Sequence, residues 1–96
     1  MSVRLVISID AAPGKGTELL KAMQARCELS RKDAGCLQFD VFQSADDPDK
    51  LALLELWQDQ AALDAHAKLQ AVRPPLPEGL RLGAGSREDY TYNKTR

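Results

Sequence analysis

The segment Leu51–Trp57, LALLELW, places the tightest limit on what this chain can fold into. Strand side chains alternate between faces, so Leu51 and Leu53 point one way while Ala52, Leu54 and Leu56 point the other. A strand apolar on both faces has to be covered on both. A chain of 96 residues has few helices to offer, so helices cover one face and a second copy of the sheet is the simplest cover for the other. A domain of this size buries roughly 60 to 65% of the surface its unfolded chain exposes, and a hydrophobic interface between copies adds usefully to so modest a core.

The segments around this strand supply the helices. Val3–Asp10 reads as a strand with Val3, Leu5, Ile7 and Ile9 on one face and Arg4 and Ser8 on the other. Ala12-Pro13-Gly14-Lys15-Gly16 breaks it, and Thr17 is placed to cap a helix. That helix carries the stripe Leu19, Met23, Cys27 and Ser30, widened by Leu20 and Ala22, and Gly35 is a left-handed stop beyond it. Leu37, Phe39 and Val41 alternate with Gln38 and Asp40 in a second strand. The turn Asp46-Asp47-Pro48-Asp49 is too short to connect the two strands in any way but antiparallel, and is expected to be solvated surface. Asp59 is an N-cap for a helix over Gln60–Gln70. Ala71–Ser86, with three prolines and three glycines, is a connection that either closes over the molecule or reaches toward a partner. Arg87–Lys94, with Tyr90 and Tyr92 at strand spacing, ends the chain.

The order strand, helix, strand, strand, helix, strand is the split βαβ arrangement called ferredoxin-like, an α+β fold with a four-stranded antiparallel sheet. We expect a single domain over residues 1–96, with helices on one side of the sheet and a twin sheet on the other. Thirteen Lys and Arg against fourteen Asp and Glu give a formal charge of -1, with the signs interspersed and no basic stripe for nucleic acid. The start MSVRLVISID is too short and too charged for a signal peptide, and no apolar run approaches membrane-spanning length. A cytoplasmic protein with no membrane or nucleic-acid partner is expected. Cys27 and Cys36 match no metal or redox spacing and are read as free thiols, and a single His argues against a His-rich metal site.

Few side chains are equipped for chemistry. His66 alone has an ordinary pKa near neutrality, and its spacing from Ala62, Leu63 and Leu69 puts it on or beside the apolar face of its helix. Trp57 and Glu55 share a strand face with Leu53 and Leu51, so Glu55 is a carboxylate among apolar neighbours that needs partners or a raised pKa. The plain structural alternatives are a packed, hydrogen-bonded His66, a space-filling Trp57, and a Glu55 bonded to backbone or to an Arg such as Arg4.

The run GCLQFDVFQS at Gly35–Ser44, DDPD at Asp46–Asp49, L-x-E-x-W at Leu53–Trp57 and ALDAH at Ala62–His66, with PGK at Pro13–Lys15, resembles the antibiotic biosynthesis monooxygenase domain family. The resemblance spans Val3 to about Gln70 and implies a homodimer of face-to-face sheets, the dimeric α/β barrel. It implies oxidation of a small phenolic or quinol-type aromatic by dioxygen without metal, flavin or other cofactor, in a pocket between sheet and helices. His66 would be the catalytic proton acceptor or phenol anchor, and Trp57, Phe39 and Glu55 would contact the substrate. Many members carry a second His five residues after the first, where this chain has Ala71; with Ile7 and Ser8 in place of the first-strand Asn of haem-degrading relatives, haem degradation is not expected. Two other readings stay open: a dimeric small-molecule-binding or stress-response protein with no turnover, and a structural dimer whose pocket is filled by its own side chains.

Overall fold

A computed structural model describes residues 1–92, and they form the expected βαββαβ chain: β1 Ser2–Asp10, α1 Gly16–Ser30, β2 Cys36–Gln43, β3 Lys50–Trp57, α2 Gln60–Val72 and β4 Ser86–Tyr92. The last two residues of the strand expected to end at Lys94 lie outside the described residues. The sheet order is β2-β3-β1-β4, antiparallel throughout. The two most apolar strands, β1 and β3, are central, and the polar SREDYTY strand β4 forms an edge, where charged side chains discourage further pairing.

Register fixes the faces. Phe39, Glu55, Leu5 and Asp89 form one row across the inner face, and Val41, Leu53, Ile7 and Arg87 the next. Helix α1 packs over β2 and β3 through Leu19, Met23 and Cys27, and α2 covers β1 and β3 through Leu63 and His66. Between these layers lies the core, in which Leu5, Leu19, Cys27 and Trp57 are at most 1% exposed. On the outer face Val6, Ala52, Leu54 and Leu56 are only half-buried, with Phe42 and Tyr90 exposed beside them. A bulge at Cys36/Gln38 leaves Leu37 exposed.

Both helices start where side chains take up their free N–H groups, but not both as the sequence suggests. Asp59 caps α2, accepting from the Ala62 N–H at 2.8 Å. Thr17 does not cap α1, which starts one residue earlier. Its cap comes from the β2–β3 turn instead: the Asp49 carboxylate accepts from Gly14 and Gly16 N–H, each at 2.9 Å. So Asp49 is not merely solvated surface. The approach is so close that a Cβ on Gly16 would fall 1.7 Å from the Pro48 carbonyl oxygen. Gly35, at φ 79°, turns the chain out of α1 where a Cβ would sit 2.5 Å from that of Ala62.

The connection after α2 folds back onto the end of β1 and the residues after it. Ala12 N–H bonds the Leu80 carbonyl and Leu82 N–H the Asp10 carbonyl, each at 2.8 Å, and Leu80 is buried. No helix among the described residues is long and apolar enough to cross a membrane.

Candidate functional site

A cavity of about 410 Å³ opens between the helices and the inner face of the sheet. Leu5, Ile7, Leu53, Phe39 and Glu55 make its floor, Met23 and Cys27 one wall, Leu63, His66 and Ala71 the other. Leu76 and Arg81 of the connection stand at its mouth, with Arg26 of α1 and Arg87 of β4. Its size falls within the range of small-molecule sites, about 300–1,000 Å³.

His66 is buried at 6% exposure and lies over Trp57, ring centres 4.6 Å apart and planes inclined 33°, with Phe39 at 5.4 Å. Phe39 meets Trp57 edge-on at 6.3 Å. Trp57, fully buried, is not among the residues bordering the cavity; it backs His66 and donates its indole N–H to Glu55 Oε1 at 2.9 Å. The partner of Glu55 is therefore its own strand neighbour two residues on, and not Arg4. Arg4 projects from the opposite face of the sheet, where it bonds Gln38 and meets Glu55 at its main-chain carbonyl. Burial pushes the Glu55 carboxyl above the usual range, against the pull of the Trp57 N–H and His66.

On its other side His66 meets a residue that sequence reasoning missed. Its Nδ1 lies 2.7 Å from Asp33 Oδ2. Asp33, in the turn after α1, is held in a fork by Arg73 at the end of α2: one guanidinium nitrogen lies 2.6 Å from Oδ1 and the other 2.9 Å from Oδ2. Those hydrogen bonds hold the Asp33 carboxyl below the usual carboxylate range, although burial opposes them. An ionised carboxylate only accepts, so the proton of this contact belongs to His66 Nδ1. In the neutral imidazole Nε2 then keeps a free lone pair, the role an aspartate plays for a catalytic histidine elsewhere.

No local signal marks Asp33 or Arg73, which look like a turn residue and a helix end before Pro74. Burial pushes the Cys27 thiol up to about 11 and raises Cys36 as well, which disfavours the reactive thiolate. Both are free. Among the described residues no three His, Cys, Asp or Glu side chains are grouped to hold a metal ion.

Comparison with known proteins places this architecture. The chain is 33% identical over 58 residues to a Bacillus subtilis (strain 168) protein named "Putative monooxygenase YcnE", a match covering 60% of this chain and 61% of that protein's length. Its fold superposes on the crystal structure of PA3566 from Pseudomonas aeruginosa with a TM-score of 0.80 at 30% identity, covering 97% of this chain and 95% of the other. A structure titled "Putative antibiotic biosynthesis monooxygenase" from Nitrosomonas europaea shares the fold at a TM-score of 0.77 and 20% identity, over 93% of this chain and 88% of that one. The family model for antibiotic biosynthesis monooxygenases matches residues 2–73. With three quarters of its length matched by that model and its sheet, helices and order in agreement, the chain belongs to the antibiotic biosynthesis monooxygenase family.

Proposed function

We propose that this protein is a monooxygenase that oxidises a small phenolic or quinol-type aromatic with dioxygen, without metal or flavin, and that His66 is its proton acceptor. Family membership supports the reaction class. The observation that carries the assignment of His66 is its contact with Asp33: a buried imidazole that lines the cavity and has its Nδ1 committed to a carboxylate.

In this reading the substrate ring lies against Phe39 and Leu53, and Nε2 takes the phenolic proton. The phenolate passes one electron to dioxygen, and the ring radical and superoxide combine to form a carbon–oxygen bond. The peroxide, reprotonated, loses water as its O–O bond and the C–H bond on the same carbon break, which leaves a ring carbonyl. One oxygen atom stays in the product and the other departs as water. Removing the proton raises the electron density that this transfer needs. Glu55 and Trp57 hold the floor and the back of the imidazole. We infer also that two copies pair through the outer sheet face, where Val6, Leu54 and Leu56 lie.

Ala71 on the cavity wall, in place of a second His, favours an alternative in which the same cavity binds without turnover. Oxygen consumption with quinols and anthrone-like phenols, no metal or flavin added, separates the two. We expect uptake with at least one substrate and a loss of about 10²–10⁴-fold in His66→Gln, the usual contribution of a general base. Unchanged uptake in that variant would remove His66 from the chemistry. Tight binding with no uptake from any compound would establish the non-catalytic reading.

A further inference from the structure

Charge is distributed unevenly around the cavity. Among the described residues its one lining carboxyl group, Glu55, lies on the floor at 4% exposure and accepts the Trp57 indole N–H. Three arginines, Arg26, Arg81 and Arg87, stand at the mouth, each from a different element. Arg87 is paired with Asp89 at 3.1 Å, both half-exposed, a contact weakened by solvent. Arg26 and Arg81 donate to main-chain carbonyls, those of Pro74 at 2.6 Å and Ala84 at 2.8 Å, and neither is ion-paired among the described residues. Glu78 borders an adjoining depression with both but bridges to neither.

Burial and the nearby charges of Arg73 and Arg81 all disfavour the Arg26 cation. Arg73 is neutralised by Asp33, so the uncompensated charge belongs to Arg26 and Arg81. An anion placed between them relieves that repulsion, and a carboxylate matches the forked donors of a guanidinium. The floor differs: the arginines that line the cavity stand at its mouth, Phe39 and Leu53 have no charge to meet an acid group, and Glu55 Oε1 is already engaged by the Trp57 N–H, so this end suits a neutral hydroxyl.

We propose that the ligand of this cavity is an aromatic carboxylic acid, its apolar rings and phenolic end toward Phe39 and His66 and its carboxylate held at the mouth by Arg26 and Arg81. This rests on the reading of the cavity as the substrate site and adds its polarity. A ligand so oriented presents its hydroxyl, and not its acid group, to His66.

The test is equilibrium binding under dinitrogen, where no oxidation occurs, of 6-hydroxy-2-naphthoic acid and its methyl ester, followed by calorimetry. We expect the acid to bind at least about tenfold more tightly than the ester, a preference of about 1.4 kcal/mol. The preference should shrink as salt is raised. It should disappear in the double variant Arg26→Gln, Arg81→Gln. Should that variant fail to fold, Arg81→Gln alone, exposed on the connection, should lose part of the preference. Equal affinities, a preference for the ester, no binding of either compound, or a preference indifferent to these substitutions would each overturn the proposal. A clear preference for the acid, coupled with no oxygen uptake in air, would uphold it and count against turnover.

Discussion

Two buried carboxyl groups lie on either side of the His66–Trp57 stack, and their surroundings push them in opposite directions. Asp33, clamped by Arg73, is held ionised, and burial favours the protonated form of Glu55. The consequences for stability have opposite signs. With its native pKa depressed, Asp33 stabilises the fold fully above its unfolded pKa of about 3.9, and loses that contribution as pH falls through the lower native value. Asp33→Asn should therefore cost about 3 kcal/mol at neutral pH and much less in acid, measured by denaturant unfolding. The same variant should lower oxygen uptake by leaving Nδ1 without an anionic acceptor. Glu55 binds its proton more tightly when folded, so its contribution is present below about pH 4.3 and falls as pH rises through the native value. Glu55→Gln keeps an acceptor for the Trp57 indole. It should flatten the decline in stability that sets in above about pH 4.3; a steeper decline would contradict this account. The exceptional position of Glu55 was legible in the alternation of its strand, and so was its neighbour Trp57 on the same face. Arg4 failed as its partner for the same reason, since an even-numbered β1 residue belongs to the other face. Asp33 and His66 are 33 residues apart and meet only through packing, which no periodicity encodes.

Among the elements, the start of α1 depends most on a remote segment. Its first free N–H, that of Gly16, is met by Asp49 from the turn between the second and third strands, which also accepts from Gly14, and the contact requires Gly16 to have no side chain. The obstructing atoms are main-chain atoms of Pro48 and Asp49, which cannot swing aside. Gly16→Ala should cost about 2–3 kcal/mol, more than the roughly 1 kcal/mol expected of Asp49→Ala through loss of the cap. Denaturant midpoints with unchanged slopes would check the order. Sequence reasoning placed this helix within a residue or two because Leu19, Met23 and Cys27 repeat at helical spacing. It chose Thr17 as the cap because only local partners are visible in a sequence. The cap of α2, Asp59, is local and was read correctly.

For the whole molecule, the two-faced strand is the decisive property. Its inner leucines are buried at 4% and 7% exposure, while Leu54 and Leu56 lie half-buried on a face no helix covers. The ferredoxin-like architecture was legible because each strand and helix announces its period and the connections leave few topologies. The path of Ala71–Ser86 was not, since it is fixed by main-chain bonds to Asp10 and Ala12 that proline and glycine content does not specify. If copies pair through the outer face, Leu54→Arg should give a monomer by light scattering at micromolar concentration, with the parent a dimer. A monomeric parent would remove the proposed pairing.

The chain has a single tryptophan, and the fold encloses it fully, sandwiched against an imidazole and bonded to a carboxyl. Both neighbours line the cavity, so an occupant alters the surroundings of the excited indole. Ultraviolet emission from the unlabelled protein is therefore a direct optical gauge of this one place, free of background from any other indole.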